Sequence, residues 1–233
     1  MRRAGSTLWI VAMLALPAWR TASAAEGAMT LAWLRGEATA VRGVERAALA
    51  EGAILHGGDL VETGPAARLE IALPTGSLLR LGPGSRLLLS GEEEGSFRAK
   101  LSLGNLWAKV VKLTTGRRFE IETQNGVAGV RGTEFHVAAT RSGQATVRVY
   151  EGKVEVKGAA FTHLVEPGRE LRFSSRAVLG PRPFDPKVER NFMRWVRRRD
   201  EASRSKAERG DREPRRRQRA HEREQLRREL RQQ

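Results

Sequence analysis

The side chains with the clearest chemical potential are four histidines, one run of carboxylates and one arginine set among glycines. His56, His136, His163 and His221 fall singly, and none stands at metal-ligand spacing from another. His136 lies between Phe135 and Val137, which puts it on the outer face of a strand. Neither a Gly-x-Ser-x-Gly elbow nor a His-Glu-x-x-His helix occurs. Gly82-Pro83-Gly84-Ser85 lacks the lysine and following helix of a phosphate loop and reads as a turn. Glu92, Glu93 and Glu94 form a carboxylate cluster on a glycine-bounded loop, a solvated hairpin tip with a weak calcium site as the alternative. Asp59 and Thr63 flank a turn, where their oxygens can accept nearby backbone N–H groups. Arg131 has two readings: its guanidinium can tie strands through carbonyls or Glu134, or it can offer a fork to an anionic ligand. With no nucleophile, acid–base pair or metal set at working spacing, the sequence points to a non-enzymatic protein that needs no cofactor.

The elements that must position these residues have a hydrophobic period of two from about Met29 to Phe173. Arg68–Leu73, Arg118–Thr123, Thr146–Tyr150 and Lys153–Lys157 alternate apolar with charged or small residues. The last two, joined by Glu151-Gly152, read as a hairpin, because glycine adopts the positive φ such a turn needs. Further runs at Leu78–Leu81, Leu87–Leu89, Leu101–Leu103, Trp107–Val111, Glu134–Val137 and Glu170–Phe173 are separated by turn residues, Gly104-Asn105 among them. Short strands at this spacing, with no long helical pattern between them, predict an all-β fold: a compact antiparallel sandwich or roll.

Several blocks then resemble a known family. They are Gly58-Asp59-Leu60-Val61-Glu62-Thr63-Gly64, Ala67–Ser77, Leu103–Trp107, Phe119–Thr123, Val127-Ala128-Gly129-Val130-Arg131-Gly132-Thr133-Glu134-Phe135 and Val149–Val154, which contains Gly152. Their order and spacing resemble the FecR domain over most of residues 50–157, and Arg-Gly-Thr-x-Phe is the specific part. The resemblance implies a compact all-β module. In its best-known members that module is the periplasmic part of a transmembrane anti-sigma regulator, relaying the state of an outer-membrane transporter to a sigma factor. Gly58, Asp59, Thr63, Gly64, Arg131, Gly132, Thr133, Phe135 and Gly152 stand at signature positions, expected to be structural. Arg131 and Thr133 are also the signature residues best placed to meet a ligand or partner. The chain departs from the full relay in lacking a sigma-binding segment before its apolar stretch and an adequate transmembrane helix.

Charge divides the remainder. The chain carries 42 Lys and Arg against 27 Asp and Glu, a formal net charge of +15. Residues 187–233 hold 18 of those bases and 9 of the acids. Residues 1–24 open with Arg2 and Arg3, continue through Leu8–Leu16 and end on Ala22-Ser23-Ala24, the pattern of a signal peptide cut after Ala24. The expected compartment is therefore periplasmic or otherwise extracytoplasmic. The absence of cysteine excludes disulfides, thiolate metal sites and a cysteine nucleophile. Residues 25–176 are expected to form the β domain, 177–186 a proline-rich linker, and 187–233 a basic tail, helical or disordered. In the tail, Val188, Phe192, Trp195 and Val196 form one apolar stripe, which fits docking onto the β domain or a partner, with Trp195 the candidate contact. Export and the lack of stacking aromatics beyond Trp195 argue against nucleic acid. The expected partner is an envelope protein or polymer, with polyanions the natural counterpart of the tail.

Overall fold

The computed structural model describes residues 28–93, 96–114, 116–185, 194–196, 198–199 and 201. The export segment, Glu94, His221 and the apolar-stripe residues Val188 and Phe192 lie outside them, as do the side chains of Glu92 and Glu93. The alternating pattern yields seventeen strands among the described residues. They are β1 (Met29–Arg35), β2 (Ala38–Arg42), β3 (Glu45–Ala48), β4 (Ile54–Leu55), β5 (Leu60–Thr63), β6 (Arg68–Ala72), β7 (Leu78–Leu81), β8 (Arg86–Glu93) and β9 (Ser96–Lys109). After them come β10 (Phe119–Thr123), β11 (Gly126–Val130), β12 (Glu134–Ala139), β13 (Ala145–Glu151), β14 (Val154–Lys157), β15 (Thr162–Val165), β16 (Arg169–Phe173) and β17 (Val178–Pro183).

Pairing arranges them in two sheets that share β9. Sheet I runs β4-β1-β6-β7-β9-β12-β13-β16-β17. Sheet II runs β3-β2-β5-β8-β9-β10-β11-β14-β15. The fold is all-β as expected, and every pairing is antiparallel except β9 with β10. The inward side chains of both sheets merge in one hydrophobic cluster, in which Leu31, Val61, Ile71, Leu79, Leu87, Ile121, Phe135 and Val154 are completely buried or nearly so. Phe119 lies 4.9 Å from Phe97 and meets Phe135 edge-on at 6.4 Å, joining the two layers. Each such side chain contributes about 1.5–3 kcal/mol by leaving water.

Three local expectations are corrected. Gly104-Asn105 is not a turn: β9 continues through it for 14 residues and changes sheet there. Gly104 has φ +94°, and a Cβ on it would stand 2.5 Å from the Ser85 Cα, so only glycine lets the strand bend this closely past its neighbour. Glu151-Gly152 is not a hairpin turn either. β13 pairs with β12 and β16 in sheet I, whereas β14 pairs with β11 and β15 in sheet II. The glycine signal was real, but the chain uses it to cross between layers. From β10 onward the hairpins alternate, two strands in sheet II and then two in sheet I. Finally, the proline-rich stretch read as a linker forms β17, which pairs with β16. As an edge strand it tolerates Pro181 and Pro183, whose missing N–H groups would break a central ladder.

The chain divides into two compact units between Phe184 and Asp185. Residues 194–196, 198–199 and 201 of the C-terminal unit are helical. Trp195 is 6% exposed there and Val196 1%. Among the described residues no helix is long and apolar enough to cross a membrane.

Candidate functional site

The Arg-Gly-Thr-x-Phe residues gather where the chain crosses from β11 to β12. Thr133 is buried, and its hydroxyl donates to the Lys153 carbonyl at 3.0 Å while its backbone exchanges hydrogen bonds with Val110. Gly152, with φ +78°, sits against it: a Cβ there would lie 2.6 Å from the Gly132 oxygen. Gly132 itself has φ +74° and faces the Lys112 backbone. Phe135 points into the core. Arg131 is exposed, and its Nε donates to the Leu113 carbonyl at 3.0 Å. The two sheet crossings, 130–134 and 151–153, are thereby tied to each other and to the segment after β9.

The other signature block is built around a buried carboxylate. Asp59 is 1% exposed, receives Arg42 Nε at 2.6 Å and Nη2 at 2.8 Å, and accepts the His56 backbone N–H at 2.9 Å. That pairing raises the Arg42 pKa, chiefly through the hydrogen bond to Asp59. Gly58, at φ +91°, makes the turn into it. The Thr63 hydroxyl donates to the Gly82 carbonyl and accepts from the Ser85 N–H, each at 2.7 Å. Gly64 leaves its N–H free to reach the Glu37 carbonyl at 2.9 Å. This block is separate in the strand order from the Arg131 crossing, and Trp195 belongs to the C-terminal unit.

Sequence reasoning missed a row of polar side chains across the non-core face of sheet I. Register places Glu70, Arg80, Trp107, His136, Arg148 and Glu170 side by side on successive strands. All six are less than 9% exposed. Arg80 donates to Glu70 at 2.5 Å and lies 4.4 Å above the Trp107 ring. Glu170 accepts hydrogen bonds from Arg148 at 2.8 Å and Arg182 at 3.1 Å, and Arg172 stands in an ion pair with it at 3.0 Å. Burial pushes the Glu170 carboxyl up, but the Arg148 hydrogen bond and the surrounding guanidiniums outweigh it, so the pKa falls below 4.5. His136 stands on the outer face as expected, although it is buried. Only the strand register, absent from a linear reading, shows that these residues form a row.

The non-core face of sheet II is open, and it ends in two clefts flanking the β12–β13 turn. The first, about 720 Å³, is lined by Arg46, Arg86, Arg141, Glu37, Glu62, Thr39 and Ser102 among others. Glu62 is clasped there by Arg46 at 2.7 Å and Arg86 at 2.5 Å. Desolvation pushes its pKa up, yet the two guanidiniums bring it below 4.5. Arg141, from the turn itself, has no ion-pair or hydrogen-bond partner among the described residues. The second cleft, about 760 Å³, lies among the turns after β10, β14 and β16 and is lined by Gln124, Asn125, Phe161, Ser174 and Ser175 among others. Asn125 Nδ2 donates to the Gly143 carbonyl at 2.7 Å, joining this cleft to the same turn. Among the described residues no group of three or more His, Asp or Glu could hold a metal ion.

Residues 59–155 match the family model for the FecR protein, a span from Asp59 before β5 to Glu155 within β14. This stretch is a FecR domain. None of the curated proteins matches the sequence. Two crystal structures of a candidate anti-sigma factor from Parabacteroides distasonis ATCC 8503, at 1.65 and 2.50 Å resolution, are similar to the chain with a TM-score of 0.47 and 19% identity. Each alignment covers 52% of this chain and 57% of the other, so the chain spans little more than half the length of those structures. The FecR match takes in both signature blocks except Gly58, both sheet crossings and the two-sheet strand β9.

Proposed function

We propose that the protein is a non-catalytic FecR-domain interaction module, exported from the cytoplasm and working in envelope signalling or scaffolding. The FecR match over residues 59–155 carries this reading. The geometry supports it in a specific way. The signature side chains engage other parts of the domain: Thr133 with Lys153, Asp59 with Arg42, Thr63 with Ser85. The signature therefore defines a scaffold, and binding falls to the surfaces that the scaffold presents. The open face of sheet II is one surface of that kind among the described residues, with Leu88 37% and Leu164 51% exposed on it.

The test combines location with contact. Fractionation of the producing cell finds a mature chain beginning near Ala25 outside the cytoplasm. A photo-cross-linking residue placed at Leu88 or Leu164 then yields a discrete adduct with an envelope protein. A full-length cytosolic chain would refute the compartment, and exported protein that gives no adduct from either position would refute the interaction surface.

A further inference from the structure

The two clefts at the end of sheet II are separated only by the β12–β13 turn, and they differ in chemistry. The first presents three guanidiniums, Arg46, Arg86 and Arg141, beside the internal carboxylate of Glu62. The second presents side-chain amides from Gln124 and Asn125 beside the half-buried ring of Phe161, with Glu122, Lys157 and Arg176 also in its lining. Amides that donate and accept, next to part of an aromatic face, suit a polyhydroxyl ligand with an apolar ring face. Guanidinium forks suit carboxylates. Each cleft is within the size range of small-ligand sites, and the two together exceed what one monosaccharide fills. Glycines let the aromatic rings of this end pack closely against the backbone. A Cβ on Gly158 would fall on the Phe161 ring, and one on Gly126 would stand 2.8 Å from Phe173.

We propose that this end of the domain binds an acidic oligosaccharide, a sugar chain carrying carboxylate groups, laid across the β12–β13 turn. The acidic groups meet Arg141 and the Arg46–Arg86 pair, while neighbouring sugars occupy the amide-lined cleft. The charges favour carboxylates carried one to a sugar over the closer-set charges of a polyphosphate. In the first cleft Arg46 and Arg86 are already shared with Glu62, which leaves Arg141 as the cation there with no partner among the described residues, and Glu37 as a further negative neighbour. A polyphosphate, charged at every phosphorus, would meet repulsion here, whereas a carboxylate set on a sugar of the chain finds a waiting donor. This inference rests on the interaction-module reading only in taking the domain to bind without transforming its ligand.

Calorimetric titration of the chain from Ala25 to Gln233 at physiological salt provides the test, with hexagalacturonate as the probe. Maltohexaose serves as the neutral sugar and hexametaphosphate as charge without sugar. The expected result is binding of hexagalacturonate in preference to both. Arg141→Gln weakens it about tenfold or more, as loss of a charge-assisted hydrogen bond does. Glu62→Gln frees two guanidiniums and strengthens it several-fold. Arg117→Gln, removing an exposed cation elsewhere on the domain, leaves it unchanged. Equal losses from Arg117→Gln and Arg141→Gln, or equal binding of hexametaphosphate, would assign the effect to net charge and overturn the proposal. Equal binding of maltohexaose would overturn the acidic requirement, and no binding of hexagalacturonate would overturn the site. Because the titration needs no envelope partner, it can fail while the cross-linking experiment succeeds, and the reverse.

Discussion

Arg80→Met isolates the energetics of the buried row on sheet I. Arg80 has no exposed surface and Glu70 only 3%, and the pair sits on β6 and β7 with the Trp107 ring beneath the guanidinium. Methionine fills most of the arginine stem but removes the charge, so the Glu70 carboxylate is left buried without the guanidinium it faces. Breaking one side of a buried pair costs about 3–5 kcal/mol. For a domain of this size each kcal/mol lowers the melting temperature by about 2–4 °C, which predicts a fall of about 6–20 °C. Replacing both partners, Glu70→Leu with Arg80→Met, removes the stranded charge and recovers most of that loss. The double variant stays about 1–2 kcal/mol short of the parent, because the cation over Trp107 is still missing. Urea unfolding of the parent, both single variants and the double variant, followed by circular dichroism, gives the coupling directly. The reasoning fails if Arg80→Met loses less than about 1 kcal/mol, or if the double variant is no more stable than the single ones. Either result would mean that water reaches this pair in solution.

Five other predictions rest on the geometry and on the charge distribution. Glu62 and Glu170 have folded pKa values below 4.5, so their contribution to stability is complete above that pH and disappears as the pH falls through the folded values; urea midpoints measured from pH 6 to 3 should decline, and less so in Glu170→Gln. Gly152→Ala combines a left-handed backbone with a clash against the Gly132 carbonyl and should cost more than about 2 kcal/mol. Gly43→Ala, with φ +60° and open space around it, should cost only about 1–2 kcal/mol in the same denaturation series. Arg131→Ala loses the bond to the Leu113 carbonyl and should lower stability by about 1 kcal/mol in thermal melts, with hexagalacturonate affinity unchanged. Deleting residues 187–233 removes 18 Lys and Arg with 9 Asp and Glu, and should abolish salt-sensitive retention on heparin.

Strand identity was legible in the sequence because its signal is local. Alternation along Phe119–Thr123 or Glu134–Val137 states which side chains face inward without reference to any neighbour. Sheet membership was not legible. Glu151-Gly152 and Asn125-Gly126 look alike in one dimension, yet the first crosses between layers while the second closes the β10–β11 hairpin. What distinguishes them is the neighbour: Gly152 must clear the Gly132 carbonyl and Thr133, residues about twenty positions earlier. Val178–Pro183 was obscured by its prolines, which exclude a central strand but permit an edge.

The same limit explains why the signature residues and the candidate binding surface fall in different places. A motif visible in one sequence is a short run of unusual residue types, and glycines at positive φ with a buried threonine are unusual because backbone geometry demands them. Arg141, Arg46 and Arg86 come from β13's approach turn, β3 and β8, separated by up to 95 positions, and none stands in a distinctive local context. They become a cluster only because β9 changes sheet at Gly104, bringing the β12–β13 turn beside the start of β8. The fold-defining glycine and the proposed binding cations are thus connected by one structural event. A substitution at Gly104 that still permitted folding should therefore disturb hexagalacturonate binding without touching a single cation.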